Sequence, residues 1–174
     1  MSGPQTMTTL NAIAEAIEAT PIGTAIAESR YAFPIIEGTH LIALSVSVGL
    51  IFLTDLRLMG LFLRQIPAVD VLRSLRPYVL CGFALVFVSG GLLFWAEAAE
   101  VIASPAWLFK FAFIALAGLN AAYFEFVIAR RPGALSENSA ALPRGVRYAG
   151  LASLTIWTLV VICGRLIAYI PHWS

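Results

Sequence analysis

Charge is scarce in this sequence. Only 12% of its 174 residues are Asp, Glu, Lys or Arg, against 60% hydrophobic residues, and the mean hydropathy is +0.87. A chain so poor in charge cannot cover a water-facing surface, so composition alone places it in a lipid bilayer. The formal net charge of +1, with no basic run, excludes a nucleic-acid surface. Two cysteines, Cys81 and Cys163, are too few and too far apart for a metal finger or a disulfide framework. Histidine is equally rare, present only as His40 and His172. A phosphate-cradling glycine loop is missing, as is a nucleophile with a positioned base, which disfavours an ordinary hydrolase or transferase. The first 30 residues lack the basic n-region of a cleavable leader, setting Glu15, Glu18 and Glu28 against Arg30, and are read as part of the mature protein.

What the chain has is apolar length. Four runs, at about 34–54, 77–96, 107–129 and 148–170, can each cross a hydrocarbon core of roughly 30 Å at about 1.5 Å per residue. Ahead of them, residues 9–33 read as interfacial: Leu10, Ile13 and Ile17 recur at helical spacing with Glu15 and Glu18 turned away, and Thr9 is placed to cap. Thr20-Pro21 then starts a second short helix, with Thr20 as N-cap. The connection 55–76 reads as interfacial helix broken at Pro67. The next one is short and acidic, with Glu97 and Glu100 before a Ser104-Pro105 helix start. Arg130-Arg131-Pro132-Gly133 stops the third span, and a polar loop through Ser136, Glu137, Asn138 and Ser139 leads to the fourth. The expected fold is all-α: one domain over 1–174, an integral membrane up-down four-helix bundle with an N-terminal amphipathic interfacial helix.

Arginines orient it. Arg57, Arg64, Arg73 and Arg76 sit in the first connection, Arg130, Arg131, Arg144 and Arg147 around the third, and none in the second. By the positive-inside rule both termini face away from the cytoplasm, and so into the periplasm where the membrane is a bacterial inner one.

Ionisable residues inside spans are costly and mark candidate sites. Glu37 and His40, at i and i+3 of the first span, share an outer layer with Lys110 of the third and Arg165 of the fourth, with Glu97 at the rim of the second. Snorkelling towards the headgroups is the alternative for Lys110 and Arg165. The Glu37, His40 and Ser47 side of the helix differs from the side with Gly38, Ser45 and Gly49; the small side suits close packing, leaving His40 to face a cavity or ligand. Gly82, Ser89, Gly90 and Gly91 thin the second span, for packing or for a flat cofactor. Nearer the cytoplasm lie Asp55, read as a solvated cap or ion pair, and Glu125, read as a partner of Arg57 or as one end of a polar path from Lys110. His40 and Cys163, at similar depth, form an incomplete soft-metal pair for copper.

The motif F-P-I-I-E-G-x-H at 33–40, followed by D-L-R-L-x-G at 55–60, resembles the signature of a bacterial family of small four-helix inner-membrane proteins of unknown function. E-A-T-P-I-G at 18–23 and A-G-L-N at 117–120 extend the likeness over most of the chain. In plan alone the chain is also similar to membrane b-type cytochromes and copper-resistance membrane proteins. That likeness implies a haem b redox or electron-transfer protein, with His40 as axial ligand, Lys110 and Arg165 pairing the propionates and Glu37 tuning the site. A second axial histidine would come from another protomer or from His172. The other expectations are a proton or cation transport or channel subunit using Glu37, His40 and Glu125, and a structural or assembly subunit. The small-residue faces suit a homo-oligomer or a membrane-complex subunit under all three.

Overall fold

The computed structural model describes residues 4–135 and 142–169, and these are helical over most of their length. In chain order the helices are α1 (Pro4–Glu18), α2 (Pro21–Ala27), α3 (Ala32–Leu58), α4 (Ala68–Ala96), α5 (Ala98–Ala103), α6 (Pro105–Tyr123) and α7 (Arg144–Tyr169). Four of them, α3, α4, α6 with its π-helical extension, and α7, are long and apolar enough to span a membrane. The protein is an all-α bundle of four such helices. His172 and Trp173, and the polar loop of Ser136 to Ser139, lie outside the described residues.

Local chemistry sets several boundaries. Thr20 caps α2, its Oγ1 accepting from the Gly23 amide at 3.3 Å, with Pro21 in the first turn. Ser104 precedes Pro105 at the start of α6 in the same order. Thr9, by contrast, lies inside α1, which begins at Pro4. The first connection is shorter than the sequence suggests: α3 continues to Leu58 and α4 begins at Ala68, so Pro77 falls within α4. A proline there forfeits one helical hydrogen bond, to the Arg73 carbonyl, near the helix start, where headgroup water can serve that carbonyl. Between α3 and α4, Gly60 (φ 74°) and Leu63 (φ 49°) take left-handed conformations, and the loop is pinned by Arg57 Nε donating to the Ile66 carbonyl at 2.7 Å.

α3 packs on α4 and α6 on α7, making two antiparallel hairpins that meet along α3 and α7. α4 and α6, on the other side, stay apart along their backbones and meet only through side chains. At one end these are Phe94 and Trp107, stacked at 6.2 Å between centroids; at the other, Arg76 and Glu125, with Nη2 to Oε1 at 2.9 Å. Glu125 lies on a π-helical turn, Phe124–Ile128, that continues α6.

The bundle has an acidic and a basic end. At the acidic end α1, α2 and α5 lie across the helix termini. Trp95 Nε1 donates to Thr20 Oγ1 at 2.8 Å, and the Ala99 amide, in the first turn of α5, donates to Glu18 Oε1 at 2.7 Å. At the basic end Leu58, Phe124, Ile128, Val146 and Ala149 form a buried apolar cluster.

Candidate functional site

Four helices converge in the half of the bundle nearest the acidic end. α3 brings His40, whose Nδ1 lies 3.0 Å from Ser89 Oγ on α4. That hydroxyl has one proton, and it donates to the Leu85 carbonyl at 2.6 Å. Nδ1–H is therefore the donor to Ser89, and Nε2 is left as the basic nitrogen of the ring. Gly90 is what lets the imidazole sit there: a methyl group on it would come within 3.0 Å of His40 Cε1. A turn and a half into α6, Lys110 acts electrostatically on both His40 and Cys163, and its Nζ reaches over Gly164 of α7. The lysine is thus half-buried and turned inward. Trp107 and Phe111 of α6 pack at 4.9 Å nearby, and the Trp107 indole N–H is buried without a hydrogen-bond partner among the described residues.

Glu37 and Arg165 are placed otherwise: both are exposed. Glu37 belongs to an acidic group with Glu97, Glu100 and Glu18 at the rim. Glu97 sits at the C-cap of α4, and partial burial, then the charges of Glu100, Glu37 and Glu18, push its carboxyl above the ordinary glutamate value. The residues expected to hold haem b are therefore split between interior and rim. Two cavities, one lined by Met59 and Arg147 and the other by Ile42 and Gly82, do not include His40 in their walls. With Ser89 and Gly90 packed against the imidazole, the residues present do not form a porphyrin slot. For copper, the described residues gather no set of three His, Cys, Asp or Glu side chains, and an ammonium acting on both His40 and Cys163 repels a metal cation.

The histidine side of α3 is the packing side, the reverse of the expected arrangement. Ser47, fully buried one face-repeat below His40, lies directly against Gly82, whereas Gly38 and Gly49 have open space around them. α4 supplies the small residues of this seam, so α3 can present its polar residues to it.

A second polar layer lies towards the basic end, about 22 Å from His40 along α3 at 1.5 Å per residue. Asp55 is only 4% exposed, so it is not a solvated cap, and it forms no salt bridge among the described residues. Its side chain faces Ser153 of α7, and Oδ2 is buried without a hydrogen-bond partner among the described residues. Asn120 of α6 donates to the Ala149 carbonyl of α7 at 3.1 Å. The expected Arg57–Glu125 pair does not form: buried Arg57 holds the Ile66 carbonyl, and Glu125 bonds Arg76. Burial of Asp55 is the main feature that sequence reasoning missed. Its signal was the apolar pattern continuing past it through Leu56 and Leu58, which prolongs the helix and carries the aspartate inside.

Neither the curated proteins nor the solved structures yielded a match to this chain. A family model does match it, over residues 22–170, and so takes in both polar layers and all four long helices. The chain belongs to the family of unknown function DUF6644.

Proposed function

We propose that this bundle carries protons between its two ends, with His40 and Asp55 as the exchanging groups. The observation that carries the proposal is the carboxyl of Asp55: 4% exposed, among spanning helices, with one oxygen unpartnered among the described residues. A lone carboxylate in such a place is costly, and taking up a proton removes the charge. A second interior titratable group on α3 is His40, whose Nε2 is left basic by the bond to Ser89. Lys110 faces the histidine and Cys163 faces Lys110, Ser153 faces the aspartate, and Arg57 lies two residues beyond it on α3, held by the loop. Ser47 lies between the two layers on the histidine side of α3. Glu37 with its acidic neighbours, and the Arg76–Glu125 pair, stand at the two mouths. By the positive-inside rule the arginine-rich end is cytoplasmic and the N-terminus periplasmic in a bacterial inner membrane. Open glycines on the outer face of α3, Gly38 and Gly49, suit contact with a second copy in the same bilayer.

Proteoliposomes loaded with a pH dye and driven by a potassium diffusion potential test this. Wild-type protein is expected to acidify or alkalinise the lumen with the sign of the imposed potential. Asp55→Asn is expected to reduce the flux to that of protein-free vesicles, and His40→Ala to slow it. Undiminished flux in both variants would overturn the proposal. A Soret band that sharpens with dithionite would instead favour the haem assignment, and His40→Ala would then bleach the protein.

A further inference from the structure

A feature of the basic end takes no part in proton exchange. Where the α3–α4 loop meets the start of α7, a cavity of about 220 Å³ is lined by Met59, Leu61, Arg144, Arg147, Tyr148 and Leu151. Its shape comes from both sides. The left-handed Gly60 and the Arg57–Ile66 bond fold the loop back so that Leu61 projects from it, 63% exposed. On α7, Arg144 and Arg147 stand at i and i+3, which puts both guanidinium groups on one face of the first turn.

The walls of this cavity divide by chemistry. Arg144 and Arg147 give it two positive charges, and among the described residues no carboxylate lines it and neither arginine has a salt-bridge partner. The amides of the first turn of α7, a 26-residue helix, add partial positive charge at the same place. Met59, Leu61, Tyr148 and Leu151 form the rest, the last three exposed, Tyr148 and Leu151 in the first two turns of α7. Paired cations against exposed apolar side chains at the edge of a spanning helix match a molecule with an anionic head and a hydrocarbon tail. A free phosphate would use the arginines and leave the apolar half unexplained. A zwitterionic choline headgroup would bring its ammonium towards two guanidinium groups with no carboxylate to receive it.

We infer that this cavity is a binding site for one anionic glycerophospholipid, its phosphodiester held between Arg144 and Arg147 and an acyl chain lying along Leu61, Tyr148 and Leu151. Basic pockets at the cytoplasmic edge of spanning helices take such headgroups by the same combination of charge and depth. The site explains why loop and helix start leave apolar surface exposed beside their arginines.

Native mass spectrometry of the detergent-purified protein, titrated with phosphatidylglycerol and separately with phosphatidylcholine, tests the assignment. One phosphatidylglycerol is expected to be retained, with affinity falling roughly thirtyfold in the double variant Arg144→Gln/Arg147→Gln. Both arginines are exposed, so the variant keeps its fold. The control, Arg64→Gln/Arg73→Gln, removes the same charge from exposed positions at the same end and is expected to bind as wild type. Equal loss in the control would overturn the site in favour of a diffuse basic field. Equal retention of phosphatidylcholine would overturn the anionic headgroup, and displacement of phosphatidylglycerol by an equal concentration of inorganic phosphate would overturn the acyl-chain contact.

Discussion

The two ends of this bundle are held by different means. At the basic end Leu58, Phe124, Ile128 and Val146 bury one another, and Asp55, buried nearby on α3, keeps an oxygen unpartnered. At the acidic end the attachments are specific polar ones: Trp95 to Thr20, Ala99 to Glu18, His40 to Ser89. The contrast has a physical basis. Lipid tails are as apolar as leucine, so burying hydrocarbon between spanning helices gains little beyond good van der Waals fit. Where fit is good, as in the Phe124 cluster, that suffices; where short helices must be attached across the bundle ends, hydrogen bonds do it.

The largest effect that could break this contrast is expected from Phe124→Ala. Phe124 is 8% exposed in the apolar cluster, and its truncation is expected to cost on the order of 3 kcal/mol in unfolding from mixed micelles. A loss no larger than that of a surface change would show that the basic end is not held by packing. Next comes Glu18→Ala, which removes the acceptor for the first turn of α5. A cost of about 1–2 kcal/mol is expected, with faster proteolysis of the N-terminal helices and no change at the basic end. Ser89→Ala is expected to cost about 1 kcal/mol and to shift the imidazole nitrogen resonances of His40, since Nδ1–H loses its acceptor; unchanged resonances would remove Ser89 from the histidine's surroundings.

The smallest effect concerns pH. Partial burial, followed by the charges of Glu100, Glu37 and Glu18, raises the Glu97 carboxyl above its ordinary value of 4.5. A group whose native-state value is raised binds its proton more tightly when folded. Its stabilising contribution is therefore complete below 4.5 and is lost as the pH rises through the higher native value. Melting temperature is expected to fall modestly across that window, and Glu97→Gln to flatten the decline. A slope that survives in Glu97→Gln would assign it to another group.

Much of the fold was legible because it rests on local signals. Apolar runs mark the spans, and Thr20-Pro21 and Ser104-Pro105 mark helix starts whatever surrounds them. Pro77 misled because a proline signals a boundary only on average, and at this depth the helix tolerates it. The site was legible in part. That Glu37, His40 and Ser47 lie to one side of α3 follows from 100° per residue, but which side meets a neighbour depends on what the neighbour brings. α4 brings Gly82 and Gly90, so the polar side packs and the side with Gly38 and Gly49 turns outward. Partners distant in sequence were out of reach for the same reason: nothing local tells Glu125 to choose Arg76, or Arg57 to choose a backbone carbonyl. Lys110, placed by depth alone, does come to the histidine.

The uneven packing among the four long helices has a mechanical meaning. α3 and α7 form the spine of a two-leaved book, each leaf a helical hairpin, and the fore-edge between α4 and α6 is fastened by clasps near its ends, Phe94 on Trp107 and Arg76 on Glu125. Between the clasps the leaves meet nearer the spine, where Phe83 of α4 packs on Trp157 of α7 at 4.8 Å between ring centroids, so the least resisted deformation is a turn about the spine. The Arg76–Glu125 clasp is exposed on both sides, 60% and 42%, and sits on the π-helical turn, where the α-helical ladder is already interrupted. Any opening of the book therefore starts from the arginine-rich edge, on the side where α4 and α6 face lipid.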